Sequence, residues 1–166
     1  ILIDTLLGYF IYPYNKKVKR DLILAAPKFY LFDVGVANYF AEEQIFSLKG
    51  MTAGKRFEHF ILMELKAYIG LKRKRKVITY WRTKNGLEVD FIIGKGEVAI
   101  EVKISEQVHQ QDLKGLIAFC EEHPQAQAMV VSLDKNPRVL QVNDKMTIDI
   151  LPWEFFLEKL WQDKLI

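Results

Sequence analysis

The sequence predicts an α/β domain, a mixed sheet flanked by helices, with a small N-terminal extension. Three observations carry this reading. From residue 55 onward the segments run α-β-β-β-α-β, an order that layers helices on a mixed sheet. The strand-like segments alternate with period two, whereas the helical ones repeat near 3.6. Half of the 166 residues are apolar and 13% are aromatic, enough to build one domain core and to exclude a disordered chain.

Residues 5–14 and 28–32 read as strands. Asp33 is placed to cap a short helix running through Phe40, and Ser47-Leu48-Lys49-Gly50 reads as a loop. From Lys55 to Ile69 the pattern turns helical, with Phe57, Phe60, Ile61, Leu65, Tyr68 and Ile69 on one face. Gly70 is expected to end that helix. Three strands follow, Val77–Arg82, Leu87–Ile93 and Val98–Ile104, then a helix over Asp112–Glu122 closed by His123-Pro124. Ala128–Leu133, Val139–Val142 and Ile148–Leu151 read as further strands. Pro152 starts a last helix, Trp153–Trp161.

The net charge of +3 is unevenly spread. Residues 1–52 carry +1, residues 53–105 carry +6 and residues 106–166 carry −4. A basic middle segment points to a polyanionic partner, and its sharpest run is Lys72-Arg73-Lys74-Arg75-Lys76. Such a run is also compatible with a solvated loop. There is no stretch of 18 apolar residues to span a membrane, and the opening Ile-Leu-Ile-Asp has neither a basic secretory n-region nor an initiating Met. The expectation is a piece of a longer protein. The single cysteine, Cys120, cannot form an internal disulfide, which favours a reducing cytoplasm.

The chemistry concentrates on one expected hairpin. Alternation puts Leu87, Val89, Phe91 and Ile93 on one face of a strand, with Glu88 and Asp90 on the other. The next strand sets Val98, Ile100, Val102 and Ile104 against Glu101 and Lys103. A two-residue turn at Lys95-Gly96 pairs positions summing to 191, so Asp90 faces Glu101 and Glu88 faces Lys103. Facing carboxylates repel. Either Lys103 and a divalent cation such as Mg²⁺ offset the repulsion, or the face is solvated and laced with ion pairs worth little. Glu58 falls within the apolar arc of the preceding helix, where a carboxylate is costly unless paired or ligating; Glu64 lies near the same stripe and weakens that inference.

Glu58 on a helix, Val89-Asp90 on one strand and Glu101-Val102-Lys103 on the next resemble the PD-(D/E)xK signature of the restriction-endonuclease-like nucleases, which include archaeal Holliday-junction resolvases. A closer likeness covers almost the whole chain. Asp4-Thr5-Leu6-Leu7-Gly8, Pro27-Lys28-Phe29-Tyr30-Leu31-Phe32-Asp33, Gly54 with Phe57-Glu58, Tyr80-Trp81-Arg82-Thr83, Glu88-Val89-Asp90-Phe91 and Ile100-Glu101-Val102-Lys103 are similar in combination to the C-terminal domain of unknown function of bacterial and archaeal AAA+-type ATPases. The resemblance implies a restriction-endonuclease-like core over residues 51–166. Residues 1–50 would be the extension, and an ATPase domain would precede both in the same chain, with any oligomer formed through it. It further implies Asp90 and Glu101 as ligands of Mg²⁺ or Mn²⁺, Lys103 as the residue that orients or activates water, and Glu58 as an auxiliary acid. DNA is the implied substrate; the alternative is a catalytically silent binding module. Read from their charge alone, Lys72, Arg73, Lys74, Arg75, Lys76 and Arg82 could hold the nucleic-acid backbone without reading sequence.

Other signals carry less. Gly50-Met51-Thr52-Ala53-Gly54-Lys55-Arg56 is one residue short of a P-loop, and Arg56 replaces its Ser/Thr, so no ATP binding is expected of this chain itself. His59, His109 and His123 lack metal-site spacing. Tyr80 and Trp81 could stack on bases, but paired strand aromatics more often pack in a core.

Overall fold

The computed structural model describes residues 7–14, 26–42 and 50–166. They form strands β1 (Gly8–Pro13) and β2 (Lys28–Leu31), helices α1 (Val34–Phe40) and α2 (Gly50–Leu71), and strands β3 (Ile78–Arg82), β4 (Glu88–Ile93) and β5 (Val98–Lys103). A 3₁₀ turn (Gln110–Leu113) leads into α3 (Lys114–Glu122), followed by β6 (Gln127–Ser132), β7 (Arg138–Asn143), β8 (Met146–Pro152) and α4 (Trp153–Trp161). The eight strands make one mixed sheet in the order β2-β1-β3-β4-β5-β6-β8-β7. β1 joins β3 in parallel through Tyr12↔Thr79 and Pro13↔Tyr80, so the strands of the first fifty residues continue the same sheet. The expected elements at residues 5–6 and 47–49, and the block at Asp4–Leu6, lie outside the described residues.

Two apolar layers sandwich the sheet. On one side α2 and α4 cover Phe91, Ile93, Val98, Ile100, Met129 and Val131; Ile61, Leu62, Leu65, Phe156 and Leu160 are wholly buried there. On the other side α3 covers Trp81, Val89, Ile92, Ala99 and Val130. Burying each such side chain stabilises the fold by about 1.5–3 kcal/mol. Tyr80 lies in the first layer and Trp81 in the second, 2% and 0% exposed, with the Trp81 ring 5.6 Å from Phe119; they are packing residues, not a base-stacking platform.

Local signals placed most boundaries. Asp33 caps α1, its Oδ1 accepting the Val36 N–H at 2.9 Å, and Pro152 precedes α4. Three expectations are corrected. Helix α2 begins at Gly50, not Lys55, so the P-loop-like segment is helical. It also runs past Gly70 to Leu71. Its stop is a Schellman motif centred on Arg73 at φ 54°, with Arg73 N–H donating to Gly70 O and Lys74 N–H to Ile69 O. Finally, the helix expected from Asp112 is preceded by the 3₁₀ turn, because Asp112 Oδ2 reaches back to accept the His109 N–H at 2.9 Å.

The β4–β5 ladder keeps the expected register, Phe91↔Ile100, Ile92↔Ala99 and Ile93↔Val98, each summing to 191. The connection differs. Glu97 N–H donates to Ile93 O at 3.1 Å, closing a four-residue loop in which Gly94 and Gly96 take φ of 68° and 90°, values that L side chains rarely adopt. The strict alternation expected along β4 also fails. Val89 and Ile92 share one layer while Phe91 and Ile93 occupy the other. The β3–β4 pairing explains it: register shifts between Thr79↔Ile92 and Trp81↔Val89, so Asp90 and Phe91 together oppose Tyr80. One extra residue in β4 makes a β-bulge there, and bulges re-aim side chains near functional sites.

Candidate active site

The bulge falls on the aspartate singled out by sequence. Beyond Phe91↔Ile100 no further β4–β5 pair is formed, and the Asp90 side chain takes over: its Oδ2 accepts the Val102 N–H at 2.8 Å. Asp90 therefore touches the peptide joining Glu101 to Val102. Glu101 is 7% exposed. Its Oε1 takes the Lys103 ammonium at 2.7 Å, and its Oε2 is buried with no hydrogen-bond partner among the described residues. Glu58 approaches from α2, as expected. The four groups are brought together at the open end of the β4–β5 hairpin. Glu101 and Lys103 alternate with Ile100 and Val102 of the α2 layer, and the bulged Asp90 reaches them at the strand edge through the Val102 N–H, not as the ladder partner of Glu101 that the hairpin arithmetic predicts.

Two further residues complete the cluster, and sequence reasoning assigned neither a role. Lys28 Nζ lies 3.2 Å from Glu58 Oε1 and 2.5 Å from Glu88 Oε1, above the Tyr80 ring at 5.2 Å. The Tyr30 hydroxyl donates to the same Glu58 Oε1. Both come from β2, which is fastened to α2 by the buried His59, whose Nε2–H donates to Leu31 O at 2.7 Å. The available signal was the block Lys28-Phe29-Tyr30, in which period two sends Lys28 and Tyr30 to one face. Lys28 displaces the expected Glu88–Lys103 pairing: Glu88 is held by Lys28 and, at 3.6 Å, by Arg82. Glu64 has a separate task, accepting the Trp161 indole N–H at 3.1 Å.

Electrostatics set this cluster apart. Burial, then the charges of Glu101 and Glu58, hold the Asp90 carboxyl well above the ordinary carboxylate range, against the opposing pull of Lys28 and the Val102 N–H. Glu101 is also raised, chiefly by burial, with Lys103 opposing. Burial alone would lower Lys28 and Lys103, but Glu58 and Glu88 for the one and Glu101 for the other outweigh it and keep both ammonium groups charged. Buried carboxylates with opposed cations mark functional sites more often than chance. A cleft of about 760 Å³ opens onto Lys28, Tyr30, Glu58 and Glu88, flanked by Lys55 and Arg56.

The residues fit a hard divalent cation in one respect: a Glu101 Oε2 with no hydrogen-bond partner among the described residues, beside a carboxyl disfavoured first by burial and then by like charge, is what such an ion would satisfy. Among the described residues, no three His, Cys, Asp or Glu side chains converge as a complete protein cage. Mg²⁺ sites of one or two carboxylates completed by water and phosphate do not need one.

The basic run sits elsewhere. It follows the C-terminus of α2, about 20 Å along the helix from Glu58 at 1.5 Å per residue. Lys72 and Lys74 pair with Asp163 at 2.7 and 3.0 Å, and Lys76 with Glu97 at 2.7 Å; Arg73 and Arg75 are exposed. Only Arg82 of the expected backbone-binding set lies at the carboxylates. His123 stacks on Phe119 at 4.1 Å. Burial pushes the Cys120 thiol up to about 12, an unreactive position. No described helix is long and apolar enough to cross a membrane.

Fold and site thus define a mixed α/β domain with a buried carboxylate–lysine cluster at a bulged hairpin. Residues 53–156 match the family described as Domain of unknown function (DUF4143), and the chain belongs to it. No curated protein and no solved structure matches the chain. β2, with Lys28 and Tyr30, lies outside the matched residues.

Proposed function

We propose that this domain is a metal-dependent nuclease of restriction-endonuclease-like descent, working on DNA as the C-terminal part of a cytoplasmic AAA+-type ATPase. The observation that carries this reading is Glu101: one oxygen is held by Lys103 at 2.7 Å and the other is buried without a hydrogen-bond partner among the described residues, beside an Asp90 carboxyl that burial and the charges of Glu101 and Glu58 raise above the ordinary carboxylate range. Asp90 and Glu101 would hold Mg²⁺ or Mn²⁺, which supplies Lewis-acid stabilisation of a phosphoryl oxygen and a more acidic bound water. Lys103, tied to Glu101, would orient the attacking water and face the negative charge that develops on the phosphoryl oxygens. The Val102 N–H fixes Asp90 in place, so the ligand geometry is set before substrate arrives.

Plasmid nicking tests the proposal. Cleavage should require Mg²⁺ or Mn²⁺ and fall at least a hundredfold in Asp90→Asn, Glu101→Gln and Lys103→Met, each melting cooperatively. Metal-independent nicking, or nicking retained in Asp90→Asn, would refute it. Among the described residues no three His, Cys, Asp or Glu side chains are placed to hold a metal, which favours a second reading, a silent module that docks nucleic acid or the ATPase domain; it predicts DNA binding with no cleavage by any variant.

DNA affinity should fall with salt as phosphate counterions are released. Neutralising Lys72 through Lys76 should lower both affinity and slope. Three of the five already hold acidic partners, so the slope should change by about 2, near 0.9 for each of Arg73 and Arg75. An unchanged slope in salt titrations of a fluorescent duplex assigns the run to solvent.

A further inference from the structure

The carboxylate cluster already contains a cation of its own. Lys28 Nζ bridges Glu58 and Glu88 at 3.2 and 2.5 Å, its charge acts on Asp90, and its side chain is three-quarters buried. Lys103 pairs with Glu101 and Arg82 lies 3.6 Å from Glu88, whereas Lys28 contacts Glu58 and Glu88 together. It is delivered by a four-residue strand at the sheet edge, paired to β1 alone and lying outside the family-matched residues. A divalent ion on Asp90 and Glu101 would sit in the same field and repel that ammonium across a partly desolvated gap, where charges are poorly screened.

We infer that Lys28 is a built-in counter-cation of this site, neutralising the carboxylates while no divalent ion is bound and giving way when one binds. Cation loading and displacement of the Lys28 ammonium are then one competitive event, and β2 reports the metal state of the site. Lys28 is a positioning residue: it acts through Glu58 and Glu88, not on substrate. The inference rests on the proposal that Asp90 and Glu101 take a divalent cation.

The test measures Mn²⁺ binding directly, by electron paramagnetic resonance of the free ion, on the 166-residue chain. Lys28→Met keeps the apolar stem and removes the charge, and should bind Mn²⁺ at least tenfold more tightly than the wild type. Lys28→Arg, which keeps the charge, should bind within about threefold of it, and Asp90→Asn should abolish binding in either background. Wild-type binding with unchanged or weaker binding by Lys28→Met overturns the counter-cation role and leaves the metal site standing. No binding by either protein, with both folded by near-UV circular dichroism, removes the metal site and this inference with it. The wild type supplies a readout independent of any variant: in ¹³C-lysine NMR the Lys28 side-chain signal should shift on Mg²⁺ titration, and an unmoved signal at saturation also overturns the role.

Discussion

Asp90→Asn is expected to do two opposite things: stabilise the metal-free domain and abolish its stabilisation by metal. Burial together with the charges of Glu101 and Glu58 raises Asp90 well above its ordinary value of 3.8. The folded state therefore keeps a proton that the unfolded chain has lost, and stability falls as pH rises from about 3.8 through the folded-state pKa. Asparagine still accepts the Val102 N–H and never ionises. Its advantage should be absent at low pH and grow across that window to about 1 kcal/mol, the scale on which removing one of two close like charges acts. His59, lowered chiefly by burial, contributes the opposite slope below its ordinary value, but equally in both proteins, so it cancels in the difference, which reports Asp90 together with its interaction with Glu101. With Mn²⁺ at a hundredfold excess over Kd, the wild type should gain about 2.7 kcal/mol, roughly 5–10 °C in Tm for a chain of this size. Asp90→Asn should show no gain. Thermal melts of both proteins from pH 4 to 8, with and without Mn²⁺, decide it; equal metal shifts would remove Asp90 from the ligand set.

Gly115→Ala should cost about 3 kcal/mol, a fall of roughly 6–12 °C in Tm. A Cβ on Gly115 would lie 1.9 Å from the carbonyl oxygen of Glu88 and within 3.0 Å of that residue's C and N atoms. All three are backbone atoms of a sheet strand, so no side-chain rotation relieves the contact. α3 must lift from β4 at the residue whose carboxylate holds Lys28. Gly70→Ala is the control of opposite sign. Gly70 lies inside α2 with nothing within 4 Å of its Cβ position, and alanine there should stabilise by roughly 0.5–1 kcal/mol. Had Gly70 been the left-handed stop of the helix, the same change would destabilise. Urea titrations of the two variants separate these outcomes. A Gly115→Ala protein as stable as wild type would mean that α3 does not seat on β4 this closely.

What the sequence alone determined is whatever depends on neighbours in the chain. Asp33 three residues before Val36 is a cap wherever the helix packs, and Pro152 opens α4 by its own fixed φ. The glycines at 94 and 96 set the β4–β5 loop, and through it the sum of 191 that brings Asp90 to the level of Glu101. Tertiary structure decided the rest. The bulge at Asp90 and Phe91 arises from pairing with β3, a partner that period-two alternation within β4 cannot see. Lys28 and Tyr30 meet Glu58 across 30 and 28 residues of sequence. Arg73 rather than Gly70 ends α2 in a left-handed turn, with Asp163, some ninety residues away, drawing in Lys72 and Lys74 on either side. Spacing specifies which side chains can share a face; which charge settles beside which carboxylate depends on the burial that desolvates them, and that exists only once distant segments have packed.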